Sequence, residues 1–374
     1  MEKTLSLLLI IGLGLVLQRK IKSQDHLKGV KVLILSVALP ATIFAALLSV
    51  EVEADMLLLP LIAFMVNLVL LGAFYAVLKY IMPVEGNKRR TMLMLMPSLA
   101  PGLSCFPFIS EYLGSSPLAM AALADVGNKV FVLVLLYLLA MHWYYRRNQV
   151  RATSKESRLK ALLISLAGEP INMVILAAFV LLAFGINMET IPTVFSTSIS
   201  RMAAMMAPLV LLFIGIAVKI RKGDLGFIFR MLSLRSGLAF LFSSGLMVIF
   251  PGLTSAMILL LLVFAQSSAS FWPYAHISVV SDMEGDNDTR TFDAGLALSV
   301  LALSLPFSTF IILGILSFPV MALSPVYPAM IGVFLVIGFL LTPLISWVKR
   351  LKSMKREGLD VSQNTPYLEE NLAR

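Results

Sequence analysis

The sequence predicts an all-α polytopic membrane protein with about eleven transmembrane helices. Ten form two inverted five-helix repeats with spans 4 and 9 interrupted, and one extra C-terminal span follows. Three observations carry this. Of 374 residues, 59% are hydrophobic and only 14% charged, whereas a soluble domain averages about 25% charged. Apolar runs of about 20 residues, enough to cross a bilayer, recur from end to end. Finally, of the loops between spans, only alternate ones carry Lys or Arg. The single cysteine, Cys105, leaves no disulfide framework and no cysteine-based metal site.

The spans read 4–18, 29–50, 56–81, 91–113, 117–144, 161–186, 194–218, 226–250, 254–280, 292–316 and 327–348. Span 1 is short, but it lacks a small-residue cleavage site and is followed by "RKIK", whereas a signal peptide carries its positive charge in front. It therefore reads as a true span. Basic residues follow span 1 (Arg19, Lys20, Lys22, Lys28, Lys31), span 3 (Lys88, Arg89, Arg90) and span 5 (Arg146, Arg147, Arg151, Lys155, Arg158, Lys160). They return after span 7 (Lys219, Arg221, Lys222) and span 11 (Lys349, Arg350, Lys352, Lys355, Arg356). The intervening loops hold no Lys or Arg. By the positive-inside rule the N-terminus is outside and the C-terminus cytoplasmic, with the chain integral to the plasma membrane. The net charge of +9 is then a topology signal, and nucleic-acid binding drops out. The loop "SDMEGDNDTR", cytoplasmic by count yet acidic, reads as a solvated turn with helix caps.

Features recur at a nearly constant offset. Pro40 of span 2 and Pro208 of span 7 lie 168 residues apart, as do Asp125 of span 5 and Asp293 of span 10. Pro107 in "SCFPFIS" and Pro273 in "SFWPYAHI" lie 166 apart. The halves are residues 1–145 and 161–316, joined by a basic cytoplasmic linker, 146–160; an additional helix, 327–348, and a cytoplasmic tail, 349–374, complete the chain. Five spans is an odd number, so the second half enters the membrane inverted. Inverted repeats with interrupted helices in matching positions are a transporter signature, with substrate held where the broken ends meet. Half-helix N-termini suit a carboxylate.

The stretches "ALPATIFAALL", "FPFISEYLGSSPLAMAALADVGNKVF" and "MAAMMAPLVLLFIGIAV" resemble the auxin efflux carrier family of permeases, related in fold to the bile acid:sodium symporters. The resemblance covers roughly residues 1–316. It implies that spans 4 and 9 break at Pro107 and Pro273 and cross. It also implies secondary transport of small organic anions, such as mono- or dicarboxylates, by elevator-type alternating access. Spans 1, 2, 6 and 7 would form the scaffold, and spans 3–5 and 8–10 the moving core. One departure stands out: where the family commonly has a Gly-Asn pair before the span-4 proline, this chain reads "SLAPGLSCFP".

The candidate substrate contacts are Ser104, Cys105, Phe106, Pro107 and Phe108 in span 4, and Ser270, Trp272, Pro273 and Tyr274 in span 9. Asn128, Lys129 and Arg201 join them. Asp125 and Lys129, four residues apart in span 5, read either as an ion site with an anion contact or as a neutralising pair. Asp125 and Asp293 are the candidate sites for a coupling ion, H+ or Na+, although Asp293 also suits the start of a helix. Arg201 either recognises a carboxylate or snorkels to the interface. His276 reads as structural more readily than as a proton carrier. No cofactor is implied, and the partners are the lipid bilayer, the anion and, as a candidate, a second copy of the chain. Neither aspartate sits in a Tyr-Asp or Gly-x-Gly-Asp arrangement, which argues against an intramembrane protease. No phosphate-binding glycine loop is present, which argues against an ATP-driven pump and leaves no enzymatic reading. The rival is a non-transporting membrane sensor or structural partner that keeps the carrier fold.

Overall fold

The structure, a computed structural model, describes residues 2–21, 24–49, 56, 58–82, 84, 86–148, 170–217, 225–285 and 290–339. Most of the basic linker, the basic loop after span 7, the start of span 6, the end of span 11 and the C-terminal tail lie outside the described residues.

Every regular element among the described residues is a helix. Glu2–Leu17 is α1. Gln24–Leu33 (α2) continues through a wide turn, Ile34–Ala38, into Leu39–Leu48 (α3). Leu59–Ala76 (α4) runs into a second wide turn, Val77–Ile81. Predicted span 4 is three pieces, Gly86–Leu95 (α5), Pro101–Ser104 (α6) and Phe106–Tyr112 (α7). Ser115–Val130 (α8) passes through a third wide turn, Phe131–Leu135, into Leu136–Asn148 (α9). Pro170–Ala183 (α10), Thr193–Ala204 (α11), Met206–Ala217 (α12) and Leu225–Ile249 (α13) follow. Predicted span 9 is two pieces, Ser255–Ala265 (α14) and Phe271–Glu284 (α15). Ala294–Ser317 (α16), Pro319–Ala322 (α17) and Val326–Phe339 (α18) end the described chain. Among the described residues six helices are long and apolar enough to cross a membrane. With the composition, they make this a membrane-embedded, all-helical protein.

Local chemistry sets the ends. The Thr254 hydroxyl accepts from the Met257 amide at the start of α14, and the Ser270 hydroxyl from the Trp272 amide at the start of α15. The Asp293 carboxylate accepts from the Leu296 amide at the start of α16. Each satisfies a donor that has no intrahelical partner. Gly114, between α7 and α8, holds φ +87, a conformation that a side chain would strain. The acidic loop after α15 is tied down at its edges: both Glu284 carboxylate oxygens accept from the Thr291 amide, the Thr291 hydroxyl donates to Glu284, and Arg90 donates to the Thr291 carbonyl.

Among the described residues three helix pairs approach at backbone distance, one of them α1 and α12, where a Cβ at Gly215 would lie 2.2 Å from the Ile11 carbonyl oxygen. A Cβ at Gly127 of α8 would lie 1.7 Å from the Pro60 carbonyl oxygen of α4, so only glycine allows that crossing. Gly237 of α13 and Gly332 of α18 face one another in the same way, each Cβ falling within about 3 Å of the other's carbonyl oxygen. Predicted span 11 is therefore docked against span 8.

The core is two apolar clusters rather than one. One gathers Ile43, Phe106, Phe108, Leu123, Val210, Phe240 and Ile312. The other gathers Phe74, Leu95, Phe131, Met231, Ile277 and Val300. Along α8, α13 and α16 the helix leaves one cluster and enters the other, and the residues in between are polar and buried: Asp125, Asn128 and Lys129; Arg235 and Ser236; Ser304. The interruptions of spans 4 and 9, carrying Ser98, Gln266, Ser267, Ser268 and Ser270, are buried as well. A polar layer thus divides the core at the level of the breaks.

Candidate binding site at two crossing helix breaks

The interruptions lie at 96–100 and 266–270, upstream of the two prolines expected to make them. Pro107 is the second residue of α7 and Pro273 the third residue of α15. In a first turn a proline lacks only an N–H that would have no helical partner, so it marks a helix start rather than a rupture.

Unwound backbone in an apolar interior must find partners, and each break finds them in the other. The Ala100 amide donates to the Ser268 carbonyl (2.9 Å), and the Ser270 amide to the Ser98 hydroxyl (3.0 Å). Two further side chains reach the backbone of the first break. Asn128 donates to the Leu99 carbonyl (2.9 Å) and accepts from the Leu99 amide (3.3 Å), while also bonding Asp125 and Asn67. Arg235 donates Nε to the Met96 carbonyl (2.7 Å) and Nη2 to the Ser98 carbonyl (2.9 Å). In the second break, the Ser268 amide donates to the Ser104 hydroxyl and the Ala269 amide to the Ser304 hydroxyl. The Gln266 side chain exchanges bonds with Ser236, which accepts at its carbonyl and donates from its hydroxyl.

A cavity of about 670 Å³ opens beside this crossing, within the usual size of a small-molecule site. Leu99 to Leu103 and Ser268 to Trp272 line it, so the start of α15 faces into it. Asp125, Asn128 and Lys129 contribute from α8, Lys31 and Leu35 from the α2 side, Phe213 and Ile214 from α12, and Ser299 and Leu301 from α16. The walls are mostly apolar. The Lys129 ammonium lies 3.5 Å from Asp125, both buried. The Lys31 ammonium lies 4.1 Å from the centroid of the Phe271 ring, a cation–π contact between two residues of the cavity wall. Two cations and one carboxylate leave the cavity with a surplus positive charge, to which the start of α15 adds a positive dipole end.

Of the residues singled out from sequence, Asp125, Asn128, Lys129, Ser270 and Trp272 come together at this cavity. The others do not line it. Ser104 serves the second break. Cys105, Phe106, Pro107 and Phe108 are buried behind it in the apolar core, because α7 begins beyond the break and turns its aromatics into packing. Pro273 is buried in the first turn of α15, and Tyr274 packs on Phe271 with ring centroids 5.7 Å apart. Arg201 is exposed on α11, outside the cavity, which fits the snorkelling alternative. Asp293 caps α16 and donates its amide to Thr91. His276 is buried, and its Nε2 lies 2.9 Å from the Val132 carbonyl, in the wide turn after α8. A carbonyl can only accept, so that nitrogen carries the proton.

Three contributors were missed from sequence. Lys31 had been read only as loop charge. Gln266, Ser267 and Ser268 lie inside predicted span 9, where nothing in the span pattern singles them out. Arg235 sits inside a 25-residue apolar helix, 168 residues after Asn67, the offset of the other repeat features. A cation in mid-span is itself a functional signal. No family model matches the chain, and no curated protein matches it either.

Proposed function

We propose that the chain is a secondary carrier of small organic anions that binds its substrate in the cavity beside the crossing. The observation that carries this reading is the coincidence of two mutually bonded helix breaks with a largely apolar cavity of surplus positive charge. Apolar walls suit an organic body, and Lys31, Lys129 and the start of α15 suit its carboxylate.

The inverted repeat is part of the proposal, and matched contacts support it. α1 packs on α12 and α10 on α3, the same pair of spans with the halves exchanged. α4 packs on α8 and α13 on α16; α5 packs on α16 and α14 on α8. The bonds between the breaks are also exchanged: 98 with 270, and 100 with 268. With eleven spans and the N-terminus outside, the Lys31 side of the cavity would face the cytoplasm. Spans 3–5 and 8–10 would then move against spans 1, 2, 6 and 7. Asp125, bonded to Asn128 and paired with Lys129, is the candidate proton site in the core.

The test is uptake of radiolabelled mono- and dicarboxylates into proteoliposomes of the full chain. At least one should enter in the wild type, and Lys31→Ala should slow it about tenfold or more, the scale of one lost charge-assisted contact, with no change in melting. If no anion moved, and none shifted the melting midpoint, the reading would be wrong and the sensor alternative would take its place.

A further inference from the structure

We propose that Arg235 is a tethered counter-cation occupying, at the first break, the seat a coupling cation would take, so that this carrier moves its anion without sodium. The proposal rests on the carrier reading for its transport consequence, and on the geometry of the break for the seat itself.

In carriers built on discontinuous helices, the coupling cation is coordinated by unwound backbone carbonyls and by the C-terminal ends of half-helices. The C-terminal end of α5 supplies such a place. Met96 and Ser98 turn their carbonyls toward one point, and the Arg235 guanidinium fills it, one donor to each at 2.7 and 2.9 Å. The fork of a guanidinium fits two acceptors in a way that a single ammonium does not.

The residue is only 3% exposed. Among the described residues no ion pair joins Arg235 to a carboxylate, so no side-chain anion meets its charge there. It is balanced instead by carbonyl oxygens and by the negative dipole end of α5, which is how a bound metal cation would be balanced. A neutral amide would suffice if hydrogen bonding were the whole need, as Asn128 does for Leu99 in the same break. Burying a full charge is costly, so the charge itself has a use. Its counterpart by the repeat offset, Asn67, is neutral and bonds Asn128 rather than a break carbonyl, so only one of the two equivalent positions is charged. Arg235 does not line the cavity. It is a positioning residue: it holds α5 in register with the second break and supplies fixed positive potential behind the anion site.

The experiment uses the full chain in detergent and in proteoliposomes. Wild-type uptake of a transported monocarboxylate should be equal in NaCl and in choline chloride. Arg235→Gln keeps donors but removes the charge. It should lose about tenfold or more in uptake, as expected for losing charge-assisted bonds to two buried acceptors, and sodium should recover part of that loss. Its melting midpoint, measured with no anion substrate, should rise in NaCl relative to choline chloride, while the wild-type midpoint should not. Arg235→Lys, which keeps the charge, should stay indifferent to sodium. Wild-type uptake that requires a sodium gradient would overturn the proposal, as would an Arg235→Gln variant whose melting ignores sodium. Because the melting arm needs no transported anion, failure of the carrier reading and failure of this proposal give different results.

Discussion

The two breaks are built from different chemistry although they meet face to face. The first, 96–100, exposes carbonyls at the end of α5 and is closed from outside by one amide and one cation, Asn128 and Arg235. The second, 266–270, presents three successive amides, at Ser268, Ala269 and Ser270. Each donates to a different serine hydroxyl: Ser104, Ser304 and Ser98. The difference follows from which backbone groups are left over. Surplus carbonyls need donors and tolerate a positive charge; surplus amides need acceptors, which hydroxyls supply without charge. The first break is thus held by a few strong contacts from distant helices, and the second by several weak ones. They should fail differently.

The largest effect is expected at the helix that carries Asn128. Gly127→Ala would set a methyl group against the Pro60 carbonyl, which is backbone and cannot rotate away. α4 and α8 must part, costing about 3 kcal/mol or more by the usual scale of overpacking, and thermal melting in detergent should show a large drop or no cooperative transition. Asn128→Ala comes next. It strips the Leu99 amide and carbonyl of partners, at about 1–3 kcal/mol for each buried group left unpaired, and the melting midpoint should fall clearly. Ser104→Ala is the mildest, since the second break keeps its other hydroxyls. A loss of about 1 kcal/mol is expected, with transport retained. A Ser104→Ala variant as damaged as Asn128→Ala would erase the distinction between the breaks.

Much of the helical layout could be read from composition and loop charge, because membrane helices announce themselves by length and hydropathy. Each of the eleven anticipated segments contains helix among the described residues, interrupted in spans 4 and 9, and six helices reach span length. The breaks were legible only approximately. Proline drew the eye to 107 and 273, yet it is tolerated at helix starts and so sits just past the interruption. The more direct signal was the serine-rich stretch "AQSSAS", where small hydroxyls accompany unwound backbone. Asp125, Asn128 and Lys129 were recognisable because charge in a span is costly. The same reasoning applied to Arg235 but was not carried to it. Which aromatics face the cavity could not be read, since Phe106 and Trp272 flank prolines alike and only the direction of the following helix separates them. Lys31 was hidden by its place at a loop edge, where a basic residue already had a topological explanation.

The central claim is that a small organic anion occupies the cavity beside the crossing, and one labelling measurement addresses it directly. Ser299 lines that cavity, and the single native cysteine, Cys105, is fully buried. In a Ser299→Cys variant, the rate of modification by a charged thiol reagent applied from each side of the membrane is measured with and without a saturating transported carboxylate. The account predicts that the anion slows labelling at position 299 while leaving a lipid-facing control cysteine unaffected. Labelling at an unchanged rate, for an anion that the protein demonstrably carries, would place the substrate elsewhere and contradict the account.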